Sequence, residues 1–120
     1  MKKINILLIG VALMSISCTN SSESDLIDNT EIPDLVTYTS DVKPIISNNC
    51  ISCHTNPPEN GAPMSLLMYD NVKDAILNRG LINRISSEDL GFLMPFGGPR
   101  LPQNLIDVLI QWEADGLLEN

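Results

Sequence analysis

The chain has 120 residues, enough for one small domain, and its formal net charge is −8 at pH 7. Fifteen acidic residues against seven basic ones exclude nucleic acid as a natural partner, because a phosphate backbone is bound through a basic surface. With only one Trp, two Tyr and two Phe, a domain of this size needs an additional source of stability, such as a cofactor that fills its core.

The first 17 residues have the pattern of a secretory signal peptide. A basic start is followed by the apolar stretch Ile4–Ile16, which is shorter than the roughly 20 residues of a membrane-spanning helix. The run Ser15-Ile16-Ser17-Cys18 resembles a bacterial lipoprotein box, although many such boxes have Leu at the position of Ser15. We expect residues 1–17 to be removed and Cys18 to be acylated, with ordinary signal cleavage as the alternative. An acylated Cys18 predicts a lipid-anchored protein on the periplasmic side of the bacterial cell envelope.

Residues 18–36 are predicted to be a flexible acidic tether between the membrane and the folded domain. The segment is polar, includes five acidic residues and Pro33, and has little apolar periodicity. The folded domain is then expected to span residues 37–120.

Helical periodicity characterises this domain. The first apolar face, on Val42, Ile45 and Ile46, leads towards Cys50, and the last one includes Trp112, which we expect to pack in the core against the first helix. The predicted helices, in chain order, are Thr37–Asn49, Met64–Asn78, Leu81–Ile85 and Pro102–Leu117. The third is either a short helix or an extended segment, and Ser86–Asp89 predicts a turn that opens another short helical piece. The predicted fold class is all-α, with three to five helices.

The run Cys50-Ile51-Ser52-Cys53-His54 has the C-x-x-C-H pattern of a c-type haem attachment site. Two thiols on one helical turn can each form a thioether with a haem vinyl group, and His54 then approaches the iron from the proximal side. A disulfide between Cys50 and Cys53 would close too short a loop to add much stability. A closed zinc site lacks ligands, because the chain has one His and three Cys.

The iron would keep a sixth position for another ligand. A second His is excluded, because His54 is the only one. The candidates are Met64, Met68, Met94, Lys43, Lys73 and an open position. Met64 and Met68 follow His54 closely. At about 3.5 Å per residue, Met64 could barely reach round a disc more than about a nanometre across, and the helix predicted there shortens the path further. Met94 lies in the apolar but Pro- and Gly-rich run Phe92–Pro99, so we favour Met94 as the distal ligand over a Met that only fills the core.

These features resemble class I cytochrome c domains, and particularly small bacterial cytochromes with a Val-Lys-Pro-Ile run before the haem motif. The resemblance covers about Tyr38–Leu118 and includes Val42–Ile45, the C-x-x-C-H motif, the Met-Pro-x-Gly-Gly-like loop and a terminal helix with an aromatic residue. Phe96 departs from the loop pattern, and residues 81–91 match nothing in it. The resemblance implies a compact all-α fold around one covalent haem c and its iron, in which the first and last helices cross. It also implies thioethers at Cys50 and Cys53, with His54 as proximal and Met94 as distal ligand.

Two filled axial positions would favour electron transfer over catalysis, because no vacancy is left for a substrate. The expected function is therefore a non-enzymatic electron carrier, whose partner is a redox protein of the respiratory or envelope electron-transfer chain that docks through a basic face. The alternatives are a haem enzyme or a gas or redox sensor with an open sixth position, and a C-x-x-C module without haem. Arg100 is the first candidate for contact with a haem propionate, ahead of Arg79 and Arg84.

Overall fold

The computed structural model describes residues 31–120, and within this range the chain forms helices and no strand. The α-helices are α1 (Lys43–Asn49), α2 (Tyr69–Arg79), α3 (Leu81–Ile85) and α4 (Gln103–Ala114), and a π-helical turn, Tyr38–Val42, leads directly into α1. The all-α prediction is confirmed. None of the helices in the described range is long and apolar enough to cross a membrane. The predicted signal peptide, Cys18 and residues 18–30 of the tether lie outside the described residues.

The helix predicted from Met64 begins only at Tyr69. Residues 64–68 instead form an irregular segment that is tied back to the C-x-x-C-H run, because the Leu66 N–H donates to the His54 carbonyl at 2.8 Å. Ser65 accepts a hydrogen bond from the Leu67 N–H at 3.3 Å and caps no helix. A bond between residues far apart in sequence therefore outweighs the helical periodicity of this segment.

The other predicted boundaries differ less from the structure. Leu81–Ile85 is a helix rather than an extended segment, and the short helical piece expected after Ser86–Asp89 is a turn instead. The last helix ends at Ala114 rather than Leu117, because the chain turns through Gly116, at φ +90°, and the Leu117 N–H donates to the Trp112 carbonyl at 2.9 Å.

Three aromatic side chains join the π-helical turn, the start of α2 and α4. Trp112 is fully buried, as predicted, and its ring centroid lies 5.8 Å from that of Tyr38 and 6.1 Å from that of Tyr69. The indole Nε1–H donates to the Leu118 carbonyl at 2.8 Å, so the polar atom of the buried ring has a partner. We call Tyr38, Tyr69 and Trp112 the aromatic cluster. It packs α4 against the start of the first helix.

Hydrogen bonds donated by backbone N–H groups hold the two ends of the domain together. Val36, the last residue of the predicted tether, is fully buried, and its N–H donates to Asp115 Oδ2 at 2.8 Å. The Tyr38 N–H donates to the Leu118 carbonyl at 2.8 Å. The packed part of the domain therefore includes Val36, one residue earlier than the predicted boundary, because an apolar side chain at this position completes the core.

We expect Asp115→Ala to lower the free energy of unfolding by about 1–3 kcal/mol, because it leaves the partly buried Val36 N–H without an acceptor. Urea unfolding at unchanged slope would measure the loss as a lower midpoint. Asp107→Ala is the matched control, because it removes the same charge from the same part of the chain but breaks only an exposed bond to Gln103. Equal midpoints for the two variants would contradict the expected result.

Candidate functional site

A cavity of about 800 Å³ lies beside the C-terminal end of α1. This volume is within the range of roughly 300–1,000 Å³ that is typical of small-molecule and cofactor sites. Cys50, Cys53, His54 and Met94 all line the cavity. The structure thus brings together four candidate residues from two separate parts of the sequence, although Met94 lies 40 positions after His54.

The C-x-x-C-H run forms a tight turn at the end of α1. The Cys50 N–H still donates to the Ile46 carbonyl at 2.9 Å, as it would in a continuing helix. The N–H groups of Cys53 and His54 then both donate to the Cys50 carbonyl, at 3.2 and 2.9 Å. These bonds place the three side chains along one wall of the cavity. Both cysteines are free thiols, so the alternative disulfide is not formed.

The environment of Cys50 does not favour thiolate chemistry. Burial raises the pKa of its thiol to about 11, so Cys50 keeps its proton at neutral pH. Cysteines that act as nucleophiles or redox catalysts need a lowered pKa and a nearby positive charge or helix N-terminus. Cys50 instead follows a helix C-terminus, where the carbonyl ends of the helix disfavour an anion. The site therefore suits a cysteine sulfur that forms a thioether with an apolar group better than a thiolate that acts as a nucleophile or a redox catalyst.

A backbone carbonyl selects the tautomer of His54. Its Nδ1 lies 2.8 Å from the Met64 carbonyl oxygen, which can only accept, so Nδ1 carries the proton. In the neutral ring the Nε2 atom then keeps its lone pair, which is the form in which a histidine binds a metal. The Leu66 N–H holds the His54 carbonyl from the same segment. Residues 64–66 thus hold the ring and the backbone of His54. In other proteins, hydrogen bonds of this kind orient the histidines that bind metals.

The run Phe92–Pro99, which we call the Met94 loop, also lines the cavity, although it is far from the C-x-x-C-H run in the sequence. The Met94 N–H donates to the carbonyl of Arg84 in α3 at 3.0 Å, and the neighbouring Leu93 is 2% exposed. Met94 itself is half-buried and packs against the core. Phe92 is 41% exposed, and Phe96, which lines the cavity, is 78% exposed. Only part of this apolar loop is buried, and that part includes the predicted ligand.

The structure also separates Met94 from most of its rivals. Met68 is 66% exposed, Lys43 lines a second, smaller cavity of about 280 Å³, and Lys73 Nζ bonds to the Tyr69 hydroxyl at 3.2 Å. Met64 is the one rival that lines the main cavity. Its backbone carbonyl accepts a hydrogen bond from His54 Nδ1 at 2.8 Å, so the Met64 backbone lies next to the predicted proximal ligand.

The structure does not bring Arg100 to the cavity. Its guanidinium donates to the Ser86 carbonyl at 3.1 Å and to Gln103 Oε1 at 2.7 Å, and it lies 3.4 Å from Glu88. Arg79 and Arg84 line the cavity instead. The spacing of Leu81, Arg84 and Ile85, which all line the cavity from α3, was a helical signal that could have identified Arg84 from the sequence.

No group of three or more His, Cys, Asp or Glu side chains in residues 31–120 is arranged to hold a metal ion. No family model, curated protein or solved structure matches the chain. The functional assignment therefore rests on the residues and geometry of the cavity.

Proposed function

We propose that the protein is an electron carrier that holds one covalent haem c, with His54 and Met94 as the axial ligands of its iron. The observation that carries the proposal is that two free thiols, the imidazole and the thioether line one cavity of about 800 Å³. The C-x-x-C-H pattern alone is consistent with this function, and the convergence of Met94 on the same cavity adds support.

The residues of the cavity fit this group. Cys50 and Cys53 would hold it through thioethers, and His54 has its Nδ1 proton held by a carbonyl, which leaves Nε2 for the iron. Apolar side chains form much of the remaining wall, among them Leu66, Leu81 and Ile85. Such a wall suits the apolar face of a porphyrin and would keep water away from it.

Haem supplies the reversible one-electron chemistry of iron, and the chain supplies attachment, orientation and a low-dielectric surrounding. A thioether ligand raises the reduction potential. With both axial positions filled, no position would remain for a substrate. Electron transfer therefore needs no residue of the chain to move a proton or to form a bond with a substrate.

The protein would be attached to a membrane of the cell envelope. Removal of residues 1–17 and acylation of Cys18 would anchor the domain to a membrane on the periplasmic side of the bacterial envelope, on the acidic tether. Without the first 17 residues, fifteen acidic residues face five basic ones. A redox partner with a basic docking face, in the respiratory or envelope electron-transfer chain, would suit this charge.

Expression of the full chain with cytochrome c maturation machinery tests the proposal. We expect haem that stays bound under denaturing conditions and gives the pyridine haemochrome spectrum of a c-type haem. A variant with both Cys50→Ser and Cys53→Ser is expected to carry none, whereas Cys18→Ser is expected to keep the haem and lose the lipid. Absence of covalent haem in the unaltered chain would reject the proposal in favour of a C-x-x-C module without haem.

A further inference from the structure

The charged side chains that line the main cavity are both arginines. Arg79 is the last residue of α2, Arg84 lies in α3, and Gly80 joins the two helices in a left-handed conformation at φ +65°. No Asp or Glu in the described part of the chain lines this cavity, although the whole protein has fifteen acidic residues. The cavity is thus a cationic site in an acidic protein.

The two arginines differ in how their charges are already compensated. Arg79 Nε lies 2.7 Å from Asp74 Oδ2, and this ion pair lowers the pKa of Asp74. Arg84 forms no salt bridge with any residue from 31 to 120. Its Cζ atom lies over the Phe92 ring, 4.5 Å from the centroid.

Stacking on an aromatic ring occupies the face of a guanidinium and leaves its in-plane N–H donors available. Arg84 is half-buried at the cavity wall, where a cation loses part of its hydration, and the contact with the Phe92 ring offsets only part of this loss. A planar carboxylate is the partner that the guanidinium fork fits best, through two parallel hydrogen bonds. Arg84 is therefore suited to bind a carboxylate group of a ligand inside the cavity.

We infer that Arg84, supported by Arg79, binds the propionate carboxylates of the haem, and that Arg100 takes no part in this binding. The inference rests on the proposed function, since the carboxylates belong to the proposed cofactor. It also follows that α3 would contribute to the site twice: the Arg84 carbonyl holds the Met94 N–H at 3.0 Å, and the Arg84 side chain holds the propionate. One residue would then fix the loop of the distal ligand and set the charge beside the haem.

Potentiometric titration of the haem-loaded protein in chloride buffer tests the inference. Loss of a positive charge beside the iron favours the ferric form, so we expect Arg84→Gln to lower the reduction equilibrium constant roughly tenfold, which is about 59 mV for a one-electron couple. Arg79→Gln should produce a smaller decrease, because the Arg79 side chain is 51% exposed and water screens its charge more strongly. Arg100→Gln, which removes the same charge outside the cavity, should leave the potential nearly unchanged.

Two further variants separate the propionate contact from a structural effect. Phe92→Leu removes the stacking partner and keeps the charge, so a shift equal to that of Arg84→Gln would overturn the inference. Arg84→Lys keeps the charge but loses the planar fork, and we expect a smaller decrease than with Gln. If the Arg84→Gln protein does not accumulate, the reduction potential of Arg84→Lys tests the inference instead. An unchanged potential in Arg84→Lys would overturn it.

The remaining outcomes also discriminate. Equal shifts in Arg84→Gln and Arg100→Gln would reject the inference. If added inorganic phosphate shifts the potential of the unaltered protein but not that of Arg84→Gln, Arg84 binds a separate anion and the propionate assignment is wrong. Covalent haem is assayed in every sample first, so failure of the proposed function, which leaves no haem to titrate, is distinct from failure of this inference.

Discussion

Met94→Ala is expected to convert a six-coordinate, low-spin haem protein into a five-coordinate, high-spin one with a lower reduction potential. Met94 is half-buried, and its backbone is held by the Arg84 carbonyl at 3.0 Å, so the loop should keep its place when the side chain is shortened. Alanine offers no ligand atom, and loss of the thioether removes the ligand that raises the potential. Optical spectra of the ferric and ferrous protein and a redox titration would measure both changes.

Met64→Ala is the matched control for this prediction. It removes the same thioether from the same cavity, but the Met64 carbonyl that bonds to His54 is a backbone group and survives the substitution. We therefore expect Met64→Ala to leave the low-spin spectrum in place. If Met64→Ala gives the high-spin, five-coordinate spectrum and Met94→Ala does not, Met64 is the distal ligand. The chain then passes round the haem by a different path from the one that we propose.

A third result would change the functional class. If the unaltered protein is already high-spin and five-coordinate, and Met94→Ala leaves its spectrum unchanged, the sixth position is open. An open position allows a substrate or a gas to bind. The protein would then be a haem enzyme or a sensor rather than an electron carrier.

Patterns along the chain were enough to select the candidate residues that line the cavity and the main buried aromatic residue. The C-x-x-C-H spacing selects Cys50, Cys53 and His54 without any tertiary information, and helical periodicity places Trp112 on the buried side of the last helix. Met94 was selected differently: an apolar segment that can be neither helix nor strand has to lie against something. Each of these inferences uses local chemistry, which a sequence contains in full.

The features that the sequence did not predict depend on contacts between distant residues. The segment after Met64 looks helical, but the Leu66 N–H bonds to the His54 carbonyl, and no local pattern reveals that bond. Arg100 was preferred because it follows the Met94 loop closely, yet its guanidinium is held by Ser86 and Gln103. Proximity along the chain was a poor guide to proximity in space where a loop reverses direction.

The core and the site are physically continuous, so stability and ligation are expected to be coupled. Cys50, Met64 and Met94 pack against the same buried cluster that contains Trp112. If the core loosens, Met94 should therefore detach first, because only a coordination bond would hold it to the iron, whereas a covalent bond would hold Cys50. Thermal or urea unfolding followed in the haem spectrum should detect the loss of Met94 before the helices melt.

Trp112→Ala is expected to be the most destabilising substitution in the core, at about 3–5 kcal/mol. The side chain is fully buried, contacts the rings of Tyr38 and Tyr69, and donates to the Leu118 carbonyl. Its removal leaves a cavity at the junction of the first and last helices and an acceptor without its partner. Because a small domain has a total stability of only about 5–15 kcal/mol, we expect a much lower urea midpoint in the haem-loaded protein and poor recovery of the variant.

Two variants on α4 show which part of this loss belongs to the ring. Trp112→Phe keeps an aromatic ring in the cluster but removes the Nε1–H donor, so its cost should be smaller than that of alanine. Ile110→Ala removes an apolar side chain that is 43% exposed on the same helix, and little destabilisation is expected there. If Ile110→Ala and Trp112→Ala have equal midpoints, the aromatic cluster does not hold the two helices together.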